Sequence, residues 1–268
     1  MKLFSFFKKD KAARRAAIID VSDANFEQQV IRRSYKSPVL VDFWAEWCMP
    51  CRQLGPVLEK LAEEPDGEFI LAKLNTENNR RTAVKYSIQS IPNVKMFRNG
   101  QVVDEFTGAM PMGLVRRFIA KQIKTPPPPP AIKGSNTPAQ RIKQAEQHLK
   151  KGRGFEAFIL LDNFPPGNEE NTANTLFPLA RFLFDMEDGD GLTGLEALDR
   201  AYQAAANALR QRKPDQALAQ LLTALGAGED IDQSYTLQVI DSLFALLGEN
   251  HPITKQYREQ VTAVSPPA

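Results

Sequence analysis

The chain has 268 residues, 43% of them hydrophobic and 25% charged, a composition typical of soluble globular proteins and long enough for two ordinary domains. No apolar run approaches the roughly 20 residues that cross a bilayer, and the first residues hold too few apolar side chains for a signal peptide, which favours a cytoplasmic protein. Net charge is +5 over residues 1–17 and −6 over residues 138–268, and the acidic second half argues against a nucleic-acid partner.

Residues 1–17 form a basic N-terminal extension in which Leu3, Phe4, Phe6 and Phe7 lie beside lysines. Such a tail could bind an anionic membrane or an acidic protein surface. A frayed soluble extension without membrane contact is the favoured interpretation.

Residues 18–124 alternate strand-like and helix-like patterns, which predicts an α/β domain with a mixed sheet and helices on both faces. A strand is predicted over 18–21, followed by a helix that Ser22 or Asp23 would cap and that runs through residues 30 and 31. The later elements, in chain order, are a buried strand (39–44), a helix (51–63), a buried strand (69–74), a short helix (80–86), two strands (94–97 and 102–106) flanking a hairpin turn at 98–101, and a closing helix (112–122).

The clearest domain boundary is a linker, residues 125–137, with five consecutive prolines. Such a run adopts extended polyproline II, which has no hydrogen-bonded partner, and it acts as a semi-rigid spacer. An SH3-type ligand is the alternative, but convincing specificity residues are missing from its flanks.

Residues 138–268 place apolar residues at three- and four-residue spacing throughout, which predicts an all-α second domain. The predicted helices are 140–151, 155–163, 172–186, 195–211, 215–225, 234–247 and 253–261. Ala157 and Ala217 each lie in the first turn of a predicted helix that follows a turn, which resembles the second helix of tetratricopeptide (TPR) repeats. Because they are 60 residues apart and not one repeat of about 34, we expect a degenerate TPR-like array. Five of its phenylalanines are interpreted as helix-packing core and not as client-binding surface: Phe155, Phe158, Phe177, Phe182 and Phe184.

Cys48 and Cys51, the two cysteines of the chain, stand where a predicted strand ends and a helix begins. There the first cysteine meets unpaired backbone N–H groups and the positive end of the helix dipole, which stabilise a thiolate. Cys48 is therefore the candidate nucleophile, and Cys51 the thiol that resolves a mixed disulfide. A structural zinc site needs about four ligands, and the two histidines, His148 and His251, lie far away in the helical half, so neither a metal nor a cofactor is predicted.

Asp42 interrupts an apolar strand, and Lys73 interrupts the next one. With helices on both faces of the sheet Asp42 would be buried, which raises the pKa of a carboxyl group. Such a group near Cys51 could take the proton of that thiol as it attacks the mixed disulfide. A buried carboxylate is the expected partner of Lys73; the alternative is an edge position with both charges in water.

Residues 18–124 resemble thioredoxin through VLVDFWAEWCMPCRQLGPVLEKLA, AKLNTENN, YSIQSIPNVKMFRNGQ and the Gly108 that follows. The resemblance implies the thioredoxin fold, with Cys48 as nucleophile, Cys51 as resolving cysteine, and Asp42 as a buried base assisted by Lys73. It also implies a cis Ile91–Pro92 bond and a groove for an extended client segment. The implied groove residues are Trp47, Met49, Pro50, Ile91, Pro92 and Gly108. Met49 replaces the glycine usual between the cysteines, and Asn93 the threonine usual after the cis proline.

A thioredoxin domain followed by a TPR-like domain resembles the bacterial chaperedoxin (CnoX or YbbN-like) family. Membership implies a holdase that binds unfolding or oxidised client proteins, protects their cysteines by thiol–disulfide exchange, and passes them to the chaperonin GroEL and the DnaK system. Thioredoxin reductase is an expected electron donor. The first alternative is a thioredoxin-like protein-disulfide reductase with a TPR-type partner-binding domain. The second is an interaction protein whose thioredoxin domain is a vestigial scaffold.

Overall fold

The computed structural model describes residues 18–64, 68–129, 137–188, 191–226 and 233–264. The chain divides into two compact units, Met1–Ala131 and Ile132–Ala268. The predicted N-terminal extension (1–17) and residues 130–136 of the predicted linker lie outside the described residues. Within the described part, no helix is both long and apolar enough to cross a membrane.

The first unit is built on a five-stranded mixed sheet with strand order β1-β3-β2-β4-β5. Its strands are β1 (Ile18–Asp20), β2 (Val39–Trp44), β3 (Ile70–Asn75), β4 (Asn93–Arg98) and β5 (Gln101–Thr107). β3 pairs in parallel with both β1 and β2, whereas β4 pairs antiparallel with β2 and β5. Each predicted strand is confirmed, and β2, which carries Asp42, is central.

Helices cover both faces of this sheet, as its buried strands require. On one face, α1 (Met49–Glu63) and α3 (Met112–Lys124) pack against Leu40 of β2 and Leu71 of β3. On the other face, Val39, Val41 and Phe43 of β2 pack with side chains from the segment before β2 and around α2 (Arg80–Lys85). The thioredoxin fold expected from the resemblance is therefore confirmed.

The β4–β5 hairpin turns at Asn99 and Gly100, whose φ angles are 47° and 76°. Positive φ at both central residues is typical of the tight hairpin turns that favour Asn-Gly. The Gly100 N–H donates to Ser34 Oγ at 2.8 Å, and a β-carbon at this glycine would lie 2.8 Å from the Tyr35 hydroxyl. The predicted turn is confirmed, and close packing adds a second reason for glycine there.

The helix predicted after β1 differs from expectation in form and in its cap. The chain makes a π-helical segment, Glu27–Arg32, followed by a 3-10 turn, Arg33–Tyr35. Asp23 does not cap it: the Asp23 carboxylate instead accepts bonds from the Thr82 N–H and hydroxyl at the start of α2. The side chain predicted as a local cap therefore joins two distant parts of the chain.

The described linker residues 126–129 form neither helix nor strand. Asn99 Nδ2 donates to the Pro128 carbonyl at 2.8 Å, and Gln101 Nε2 donates to the Pro129 carbonyl at 2.8 Å. The expectation of a segment without hydrogen-bonded partners is wrong here, because the hairpin supplies donors for these proline carbonyls.

The second unit is all-helical where it is described, and each of the seven predicted helices is confirmed. They are α4 (Pro138–Leu149), α5 (Gly154–Leu161), α6 (Glu170–Asp188), α7 (Glu196–Arg210), α8 (Pro214–Leu225), α9 (Ser234–Leu247) and α10 (Pro252–Val264). The five phenylalanines predicted as core are buried, except for a half-buried Phe177.

The turns α4–α5 and α7–α8 have the same backbone form. Gly152 has φ 65° and Arg212 has φ 60°. The N–H of each following residue reaches back across the turn, from Arg153 to the His148 carbonyl at 3.0 Å and from Lys213 to the Ala208 carbonyl at 2.9 Å. The two turns are 60 residues apart, like the buried alanines that follow them, which supports a repeated helical hairpin.

Candidate active site

The two cysteines lie where β2 leads into α1. Cys48 is the residue that caps α1, and its Sγ accepts a hydrogen bond from the Cys51 N–H at 3.2 Å. Cys48 and Cys51 are joined by a disulfide, and both are almost fully buried. When this bond is reduced, the helix N-terminus and the Cys51 N–H favour negative charge on Cys48 Sγ.

Asp42 lies on the central strand, on the sheet face covered by α1 and α3. It is 2% exposed, and its Oδ1 has no hydrogen-bond partner among the described residues. Burial raises the pKa of the Asp42 carboxyl to about 7, while the Lys73 ammonium lowers that pKa and the Glu59 carboxylate raises it. The carboxyl can therefore hold or release a proton near neutral pH, and the alternative of an exposed edge position is excluded for Asp42.

Lys73 is next to Asp42 in strand register, but its direct partner is a different carboxylate. Lys73 Nζ donates to Glu59 Oε1 of α1 at 2.6 Å and lies 5.5 Å from the centre of the Trp44 ring. The Lys73 and Glu59 side chains are 25% and 37% exposed, so the pair borders solvent. The expected buried partner of Lys73 is therefore replaced by the half-exposed Glu59.

The predicted groove residues differ in exposure. Trp47 and Met49 are well exposed, at 67% and 59%, and Pro50 is exposed beside them. Ile91 is half-buried and packs against the cluster formed by Ala45, Cys48 and Cys51. The structure thus brings Ile91 to the cysteines, while Trp47, Met49 and Pro50 surround them in sequence and present their side chains to solvent.

The segments around Pro92 and Gly108 are joined by backbone and side-chain bonds. The Ile91–Pro92 bond is cis, as the resemblance implied. The Gly108 N–H donates to the Pro92 carbonyl at 2.8 Å, and Asn93 Nδ2 donates to Thr107 Oγ1 at 2.9 Å. Asn93, which departs from the usual threonine, therefore links the start of β4 to the end of β5.

Sequence reasoning missed Glu59. Glu59 follows Cys51 by two helical turns, between the buried Leu58 and Leu61, so it stands at the margin of the buried stripe of α1. This position is a signal that a charged side chain could reach the sheet. Its pairing with Lys73 depends on how α1 docks on β3, which the local sequence pattern does not specify.

No cluster of three or more His, Cys, Asp and Glu side chains suited to a metal ion occurs in the described ranges. His148 and His251 both belong to the helical unit, in α4 and just before α10.

Comparison with known proteins separates the two parts of the chain. Residues 17–121 match the thioredoxin family model, and residues 195–264 match a tetratricopeptide repeat model. The thioredoxin of Synechocystis sp. is 45% identical over 108 residues, which are 40% of this chain and 99% of that protein. The thioredoxin of Chlorobaculum thiosulfatiphilum is 41% identical over 104 residues, 39% of this chain and 94% of that protein.

The segment that matches the thioredoxin family model includes the cysteine pair, Asp42, the Ile91–Pro92 bond and Gly108. The residues of the candidate site therefore all lie within the region of thioredoxin similarity. Thioredoxin similarity and the Cys-x-x-Cys disulfide together indicate thiol–disulfide oxidoreductase activity. The chain belongs to the thioredoxin family through its first unit and continues into a tetratricopeptide repeat region.

Proposed function

We propose that this protein is a chaperedoxin, a cytoplasmic holdase that binds unfolding proteins and protects their cysteines by thiol–disulfide exchange at Cys48 and Cys51. The observation that carries the redox part is the disulfide at the N-terminus of α1, on the same sheet face as a buried carboxyl with a pKa of about 7. The holdase part is supported by the TPR region and by the resemblance of the whole layout to chaperedoxins.

In the proposed reaction, the reduced protein transfers two electrons to a client disulfide. The Cys48 thiolate attacks one client sulfur, the client S–S bond breaks, and the other client sulfur leaves as a thiolate that takes a proton from solvent. Cys51 then gives its proton to the ionised Asp42 and attacks Cys48 Sγ, which forms the Cys48–Cys51 disulfide and releases the second client thiolate. A reductant such as thioredoxin reductase returns the pair to the thiol form.

Client exchange is tested by trapping. With Cys51→Ala the resolving step is lost, so we expect mixed disulfides between Cys48 and many unrelated proteins, detected by non-reducing electrophoresis and mass spectrometry. Cys48→Ser, which keeps Cys51 as the one remaining thiol, is the matched control and should trap far fewer proteins. An equal yield from both variants would contradict the assignment of Cys48 as nucleophile.

The second candidate is a protein-disulfide reductase whose TPR region recruits a partner. It is favoured by one observation: among the described residues of the helical unit, the exposed large apolar side chains are Leu192 and Leu195. A holdase needs a larger apolar surface than two leucines provide. Aggregation assays before and after oxidant treatment separate the two candidates, because the reductase would turn over insulin disulfides and leave unfolding proteins unprotected in both states.

The proposed chaperedoxin hands its clients to the chaperonin GroEL and the DnaK system. This part of the proposal rests on the family resemblance alone. It is tested by refolding a client bound to this protein with each chaperone system added separately; no increase in refolded client with either would contradict it.

A further inference from the structure

The Glu59–Lys73 ion pair crosses from α1 to the sheet next to Asp42. Lys73 Nζ donates to Glu59 Oε1 at 2.6 Å and stands over the Trp44 ring. On its other side in strand register lies Asp20 of β1, whose side chain is exposed. Among the ion pairs of the described residues, Lys73 is paired with Glu59 and with neither aspartate.

Among the described residues, two charged side chains act on the Asp42 carboxyl: Lys73 from β3 and Glu59 from α1. Its cross-strand neighbour on β4 is Val94, and α3 adds apolar side chains to this face. The helix that carries Glu59 also carries Cys51, the thiol that must lose a proton in the proposed reaction. The state of Asp42 therefore depends on where the Lys73 ammonium is held.

We propose that Glu59 is a positioning residue of this site: by pairing with Lys73 it withholds the ammonium from a direct bond to Asp42 and keeps that carboxyl a strong enough base to take the Cys51 proton. The unpartnered Asp42 Oδ1 is the geometric sign of this arrangement in the described part of the chain. Without the Glu59 charge, the ammonium would be free to turn toward Asp42. An opposite charge at close range favours the ionised carboxylate.

The test is an NMR titration of the Asp42 carboxyl carbon in the oxidised full-length protein, in which Cys51 is part of the disulfide and does not titrate. We expect Glu59→Gln to lower the Asp42 pKa by about 1 unit, the scale on which a nearby charge moves a carboxyl pKa. Lys73→Met should raise the same pKa. Glu59→Asp, which keeps the carboxylate charge, should leave the Asp42 pKa closer to the wild-type value than Glu59→Gln does. If the role of Glu59 were purely structural, replacing Glu59 and replacing Lys73 would not shift the Asp42 pKa in opposite directions.

The matched control is Glu63→Gln, which removes an exposed carboxylate from the same helix one turn later. It should leave the Asp42 pKa unchanged. An Asp42 pKa that is the same in Glu59→Gln as in the wild type, or that moves equally in Glu63→Gln, would overturn the proposal.

The inference rests on the proposed exchange reaction, and a second readout separates the two. In single-turnover reduction of a small aromatic disulfide, the acidic limb of the pH profile for the Cys51 step should move to lower pH in Glu59→Gln, by the shift found in the titration. A wild-type protein that reduces no disulfide at any pH refutes the proposed function, while the titration still decides the role of Glu59. Normal turnover with identical pH profiles refutes the role of Glu59 and leaves the proposed function standing.

Discussion

At the scale of single residues, the site combines four side chains that the sequence identifies with one, Glu59, that it does not. The Cys-x-x-Cys spacing predicts a redox-active pair, and the alternation of side chains along the strand predicts which face of the sheet Asp42 occupies. Both predictions depend on local geometry alone. The Lys73–Glu59 pair was not predicted, because the two residues come from different elements and meet only when α1 docks on the sheet. Asn93 and Thr107 meet for a similar reason, across the register of β4 and β5.

The buried Asp42 makes the stability of the first unit depend on pH. In the unfolded chain this carboxyl ionises near 3.8, and in the folded protein near 7, so the folded state binds more protons between these values. Its contribution is therefore most favourable below pH 4 and is lost as the pH rises to 7, a difference of about 4 kcal/mol at 1.36 kcal/mol per pKa unit.

We predict that Asp42→Asn removes this dependence: the gain in stability relative to the wild type should grow by a few kcal/mol between pH 5 and pH 8. Urea unfolding followed by tryptophan fluorescence measures it, because both tryptophans, Trp44 and Trp47, lie in the first unit. Glu68→Gln, which removes an exposed carboxylate, is the control. Parallel stability curves for Asp42→Asn and the wild type would show that Asp42 is ionised at both pH values.

At the scale of elements, hydrophobic periodicity located each strand and helix of the described residues, with boundaries that differ by up to three residues. The exception in form is the segment after β1, where the apolar pattern predicts a helix but does not distinguish π-helical from α-helical bonding. The cap at Asp23 failed for another reason: its carboxylate finds the N-terminus of α2, nearly 60 residues later. The sequence shows that an Asp side chain can accept backbone N–H bonds at a helix N-terminus, but it does not show which helix donates those bonds.

The repeated turn of the helical unit supports a prediction at this scale. Arg212 holds a left-handed conformation that costs a non-glycine residue roughly 1–2 kcal/mol, whereas the equivalent position is Gly152. We expect Arg212→Gly to stabilise the helical unit by about 0.5–1 kcal/mol, since relief of strain exceeds the added chain entropy. Calorimetric unfolding measures this change.

Arg212→Ala is the matched control, because it removes the charge and keeps the β-carbon. It should leave stability within about 0.5 kcal/mol of the wild type. If both variants stabilised the unit equally, the effect would come from removal of the charge, and the proposed backbone strain at Arg212 would be contradicted. At Gly152 itself a β-carbon would lie 2.6 Å from Arg210 Cα, so Gly152→Ala should destabilise the unit.

At the scale of the whole molecule, the sequence predicted a linker followed by a helical domain, and it could not show what the linker touches. Proline composition indicates an extended chain, but the bonds from Asn99 and Gln101 to Pro128 and Pro129 arise from the position of the hairpin. Function at this scale is harder to predict than fold. Helical periodicity predicts a TPR-like array, but it does not specify what such an array binds.

The most direct test of the proposed chaperedoxin is light scattering of a thermally unfolding protein such as citrate synthase. The samples are the full chain, Cys48→Ser/Cys51→Ser, and residues 1–131 alone, each before and after oxidant treatment. We predict that both full-length proteins suppress scattering and that residues 1–131 do not, because holding an unfolding client requires the helical unit and not the thiols. No suppression by any form in either redox state would contradict the holdase and leave a disulfide reductase with a TPR-type partner-binding region.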